Sequence, residues 1–125
     1  MRAQKAAVKQ QLAAFVGSLP YKPAWAAIVT LEGRLIEQYG VEVKTNKVVD
    51  FAAAVEGLSD QIVLTLGHGP FRYGIIGGSK GLFIIIALGD LYWLQLSYQR
   101  LNSLDRALRA LREGVGPLLN VLYGD

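Results

Sequence analysis

The segment with the most chemical promise is Gly77-Gly78-Ser79-Lys80-Gly81. Glycines, a hydroxyl and a lysine are what a phosphate-binding loop uses, because bare N–H groups and one ammonium cradle the oxygens. That loop needs four residues between its first glycine and Gly-Lys-Ser/Thr, and it opens a helix. Here the order is Gly-Ser-Lys and strand-forming residues follow, so the segment reads as a hairpin turn. The single histidine, His68, stands between Gly67 and Gly69 at the end of a periodic apolar stretch. An imidazole there complements the negative end of a helix dipole. A general base would need a nucleophile and an orienting acid, and the local sequence suggests neither. Glu32, Glu37, Glu42, Asp50, Glu56 and Asp60 lack the alternation of a calcium loop. With no cysteine, disulfides, thiolate ligands and thiol nucleophiles are missing together. One histidine argues against a zinc or iron site. The expectation is a protein that binds rather than catalyses, with no catalytic, metal or cofactor residues.

Composition narrows the class further. Hydrophobic residues make up 52% of the 125 and charged residues 18%, which excludes disorder and fits one domain, 1–125, around one core. So much apolar material on so small a body predicts that another subunit covers part of it. The net charge of +3 is only mildly basic. No basic stripe is interleaved with aromatics, so nucleic acid is not an expected partner. The longest apolar run, 82–88, is too short to cross a bilayer. No continuous apolar segment follows the charges of residues 1–9, as a signal peptide would require. Neither membrane insertion nor export is expected, and the expected address is cytoplasmic.

The elements that must position any surface follow from periodicity. Val8, Leu12, Phe15 and Leu19 form one helical stripe in residues 3–17, with Arg2, Lys5 and Lys9 on another face, read as solvated. Pro20 and Pro23 end that helix. Residues 24–31 and 34–41, joined by Glu32-Gly33, read as a hairpin. Its first strand is apolar on both faces and therefore central; its second carries Glu37, Gln38 and Glu42 and lies nearer an edge. A helix over 47–66 follows, with an N-cap at Thr45-Asn46 and a stop at Gly67. Strands at 71–76, 82–88 and 91–98 form a meander whose second turn is Gly89-Asp90. Trp25 and Trp93 fall on strands and read as core. A last helix, capped by Asn102, carries Leu101, Leu104, Leu108, Leu111, Val115, Leu118 and Leu122 as a seam, bent at 114–117. Arg106, Arg109 and Arg112 line a basic side of it. The architecture is α+β, an antiparallel sheet with helices on both faces.

Two features point to a second copy of the chain. On the middle helix Val48, Phe51, Val55, Leu58, Ile62 and Leu66 form a bulky stripe, while Val49, Ala53, Gly57 and Leu64 lie roughly opposite. One side can pack on the chain's own sheet; the other needs a partner, and the small Ala53 and Gly57 would admit a second helix. The strand at 71–76 has no strand before it to pair with and few charges to blunt it, so it is a bare edge. The expected dimer seam is Val49, Ala53, Gly57 and Leu64 with Phe71, Tyr73 and Ile75.

Ala26-Ala27-Ile28-Val29-Thr30-Leu31-Glu32-Gly33-Arg34-Leu35-Ile36, the long second helix and the block 84–98 with Gly89-Asp90 before Leu91-Tyr92-Trp93-Leu94 resemble the Roadblock/LC7 family. The resemblance runs over about residues 3–122 and rests on element order and apolar spacing. It implies a five-stranded antiparallel sheet of order 2-1-5-4-3, the central helix on one face and the terminal helices on the other. It also implies dimers through the central helix and third strand. Members of the family are dynein light chains, scaffolds for Ras-like small GTPases, and activators of a bacterial polarity GTPase, none with chemistry of its own. The chain departs from the family in its glycine-rich turn at 77–81 and its interrupted last helix. The function expected is a homodimeric scaffold or regulator of a small GTPase, with Asp50, Ala54 and Gln61 as the partner face. The alternatives are a structural subunit of a motor or larger complex, or a sensor module, which would keep a cavity of roughly 300 Å³ or more.

Overall fold

The computed structural model describes residues 2–40 and 44–124; Val41 and Glu42, expected at the end of the second strand, lie outside the described residues, as does the side chain of Arg2. Helix α1 (Arg2–Ser18) buries Val8, Leu12 and Phe15 of the predicted stripe, with Val16 beside them, and stops before Pro20; Leu19 is half-buried just past its end. Strands β1 (Trp25–Thr30) and β2 (Leu35–Gly40) pair antiparallel. Their turn depends on Gly33 at φ 94°, a conformation that residues with a Cβ resist.

Helix α2 runs Thr45–Thr65. It ends as Gly67 requires: with Gly67 at φ 74°, its N–H donates to the Leu64 carbonyl at 3.1 Å and the His68 N–H to that of Val63 at 2.8 Å. The expected cap at Thr45-Asn46 is corrected. Thr45 is the first helical residue, and Lys44 holds the cap position with no side-chain hydrogen bond.

Strands β3 (Tyr73–Gly78), β4 (Gly81–Leu88) and β5 (Tyr92–Tyr98) complete one sheet of order β2-β1-β5-β4-β3, with every pairing antiparallel. β3 begins two residues later than expected and continues through Gly77 and Gly78, because Gly78 pairs with Gly81 and leaves only Ser79-Lys80 as the turn. On an edge strand no side chain is needed there to fill a core. Gly81 is required, since a Cβ at that position would run into the Tyr98 carbonyl.

The last helical region is two helices, α3 (Leu104–Gly114) and α4 (Gly116–Tyr123), broken at Val115, with Pro117 in the first turn of α4. The α3 cap is Ser103, whose hydroxyl accepts from the Arg106 N–H at 3.3 Å, one residue after the expected Asn102. A hydroxyl reaches the third backbone N–H from there, and Asn102 stands one residue too early to do so.

The sheet separates two apolar layers. On one face Ile28, Ile84, Leu88, Leu94 and Leu96 meet α1, α3 and α4. On the other Trp25, Ala27, Val29, Ile85 and Trp93 meet Val48 and Ala52 of α2, together with Phe71. Both tryptophans are core, as expected.

Two tyrosines give checks on this packing. The Tyr123 hydroxyl donates to the Leu88 carbonyl and accepts from the Leu91 N–H at 3.0 Å, tying the end of α4 to the β4–β5 turn. Tyr123→Phe removes both hydrogen bonds and keeps the ring, so unfolding in urea should come about 1–2 kcal/mol earlier. The Tyr98 ring is buried, and desolvation pushes its hydroxyl up to about 12 from 10. The folded state therefore holds the proton more tightly than the unfolded chain. The stability it contributes is intact below pH 10 and is lost as pH rises from 10 through about 12. The loss is on the order of 2 kcal/mol, and Tyr98→Phe should flatten that part of the alkaline unfolding profile.

Candidate interaction surface

The side of α2 that rests on the sheet is set by bulk. Trp25 and Trp93 already rise from the strands, so the helix can come close only where its own residues are small. Val48 and Ala52 are buried there, with Ser59 and Val63 half-buried on the same arc. This corrects the reading of the bulky stripe. Of its members only Val48 is buried and Val55 half-buried, while Phe51, Leu58, Ile62 and Leu66 are exposed, Leu58 to 65% and Ile62 to 50%.

The residues expected in a dimer seam divide. Phe71 is a core residue, its ring 5.4 Å from that of Trp93 and its N–H bonded to Asp60 Oδ1 at 2.9 Å. Val49 is half-buried against the same cluster. Ala53, Gly57, Leu64, Tyr73 and Ile75 are exposed, and nothing would meet a Cβ added at Gly57. Asp50, Ala54 and Gln61, expected to meet a partner, are exposed along the crest of α2.

The flank of α2 that bears Phe51, Leu58 and Ile62 leads toward the β3 edge. Phe51 stacks on Trp25 at 6.5 Å and meets Phe83 edge-on at 6.0 Å. Phe83 is cross-strand to Ile76 of β3, which is 52% exposed. Helix flank and sheet edge thus form one apolar surface. Sequence reasoning missed Phe51, Leu58, Ile62 and Ile76 as surface residues; the signal was the two-faced helix, but its periodicity does not say which arc meets the sheet.

The residues weighed for chemistry stay apart. Ser79 and Lys80 form the exposed β3–β4 turn, and His68 is exposed in the loop after α2. Among the described residues no group of three His, Asp or Glu is placed to hold a metal ion, and no helix is long and apolar enough to cross a membrane.

This sheet order, with α2 on one face and the terminal helices on the other, is the Roadblock/LC7 fold. No family model and no curated protein matches the chain by sequence. Among solved structures, the gliding protein MglB of Thermus thermophilus is similar at 11% identity and TM-score 0.81, over 95% of this chain and 90% of that one. A structure described as MglB with tetrameric arrangement gives the same values. A Roadblock/LC7 domain from Streptomyces avermitilis is 14% identical with TM-score 0.70, over 89% of this chain and 96% of that one.

Proposed function

We propose that the chain is a non-catalytic, homodimeric scaffold or regulator of a Ras-like small GTPase. The observation that carries this reading is the uncovered apolar surface formed by Phe51, Leu58 and Ile62 of α2 and Ile76 at the open edge of β3. Large apolar side chains grouped beside unpaired strand hydrogen-bonding groups favour burial by another chain. A second copy related by a two-fold axis would bring the same surface to meet it and continue the sheet. Tyr73 and Ile75 would lie at that junction. Ala53, Gly57 and Leu64, on the other flank of α2, would stay open beside the crest of Asp50, Ala54 and Gln61 and form the face offered to a G domain. The fold shared with MglB and the family resemblance of the hairpin at residues 26–36 support a GTPase as the partner.

The test is retention of Ras-like GTPases, loaded with GDP or a non-hydrolysable GTP analogue, on the immobilised protein. Binding in at least one nucleotide state, weakened by Gln61→Arg, is expected. Absence of binding in both states would remove the GTPase from the reading and leave the dimer to be judged separately. A sensor module has one observation for it, depressions of about 310 and 470 Å³, and one against it, since both open to the surface instead of being enclosed in the core.

A further inference from the structure

The terminal-helix layer, on the far side of the sheet from α2, has an opening of its own. Between α3 and the β3–β4 pair lies a groove of about 250 Å³. Ile86 from β4 and Leu108 and Val115 from the helical region form its apolar walls, with Tyr73, which the proposed dimer places at its junction, at one end. The charged groups lining it, Arg72 and Arg112, are both cationic. Arg72 is held in place at the rim by donating to the Gly89 carbonyl at 3.2 Å and pairing with the exposed Asp90 at 3.6 Å. That is the only ion pair among the described residues, so Arg112 enters none with them.

Charge beside the groove is mixed, with arginines in the majority. α3, which forms one wall, carries Arg106, Arg109 and Arg112 against Asp105 and Glu113, and Asp90 stands beside Arg72 at the other wall. α2, across the sheet, has Lys47 against Asp50, Glu56 and Asp60. The helix beside the apolar recess is thus net cationic and the helix across the sheet net acidic.

We infer that this groove docks an acidic amphipathic segment of a partner protein, whose apolar side chains fill the recess and whose carboxylates reach Arg72 and Arg112. Two cations flanking apolar walls match such a segment in both chemistry and order. A lipid bilayer presents a flat surface and would not enter a recess between helix and strand. The acidic α2 of a second copy would make a head-to-tail contact that does not close, and so would build open assemblies.

The experiment is selection of random 12-residue peptides displayed on phage against the whole protein, followed by anisotropy titration of the enriched peptides. Arg112 is exposed, so Arg112→Glu should keep the fold, which circular dichroism checks. Enriched peptides should combine carboxylates with large apolar residues, bind Arg112→Glu about tenfold or more weakly, and bind Leu58→Arg, altered on the opposite layer, as they bind the native chain. The inference is overturned by enriched peptides without acids, by binding indifferent to Arg112→Glu, or by no enrichment at all. Sedimentation with phosphatidylserine-containing vesicles that is lost in Arg112→Glu, without peptide enrichment, would assign the groove to anionic lipid. Concentration-dependent assembly lost in the same variant would assign it to a second copy.

Discussion

Leu58→Arg should turn a dimer into a folded monomer. The native chain is expected to elute in size exclusion with a light-scattering mass twice its 13.6 kDa, and the variant at 13.6 kDa. Leu58 is 65% exposed in the single chain, so its replacement removes little from the fold, and the unfolding free energy should move by no more than about 0.5 kcal/mol. In the proposed dimer the same position lies in a desolvated seam, where a guanidinium has no partner. An unpaired charge there should weaken association by about a hundredfold or more, equal to about 2.7 kcal/mol. Ala53→Arg is the matched control, an exposed charge on the opposite flank of the same helix. If Ala53→Arg dissociates the dimer and Leu58→Arg does not, the seam follows the small residues instead. A native chain that is monomeric at micromolar concentration would remove the dimer from the proposal.

Gln95→Glu should be among the most damaging single-atom exchanges available. Gln95 lies on β5 at the centre of the sheet, fully buried. Its Nε2 donates to the Val48 carbonyl at 2.9 Å, and its Oε1 has no hydrogen-bond partner among the described residues. An ionised carboxylate has no proton to give that carbonyl and faces it across a short gap, so the folded state would hold glutamate protonated, well above its unfolded value. A folded pKa raised in this way means the native state binds the extra proton. The variant is therefore most stable below the unfolded glutamate value of about 4.3 and loses stability as pH rises through the folded one. At pH 7 the loss should be about 3 kcal/mol or more, with part recovered at pH 5, as read from urea unfolding at the two pH values. Gln95→Leu, which removes the hydrogen bond and the unpartnered oxygen together, should stay within about 1 kcal/mol of the native chain. Equal damage from both variants would show that shape, not polarity, matters at this position.

Much of the fold is legible along the chain because its signals are local. The four–three spacing of Val8, Leu12 and Phe15 makes a helix wherever it is placed. Glu32-Gly33 closes a hairpin, and Gly67 stops α2 through backbone bonds that only a residue tolerant of positive φ makes easily. Pro20 and Pro117 mark ends and breaks for the same reason, a missing N–H. The exact caps were less legible: Asn102 and Ser103 are both good capping residues, and the geometry of the chain leaving β5 selects the second.

The sequence by itself determined the identity and order of the elements, the absence of thiol chemistry, and the presence of a helix with too much apolar surface for one sheet. Only the tertiary structure decided which arc of that helix is spare. The reason is steric: Trp25 and Trp93 on the sheet take the volume and leave room for Val48 and Ala52 but not for Phe51, Leu58 and Ile62. Likewise Phe71 was legible as apolar and near an edge, but its contact with Trp93 comes from a residue 22 positions away, and long-range packing of that kind is not written in local spacing.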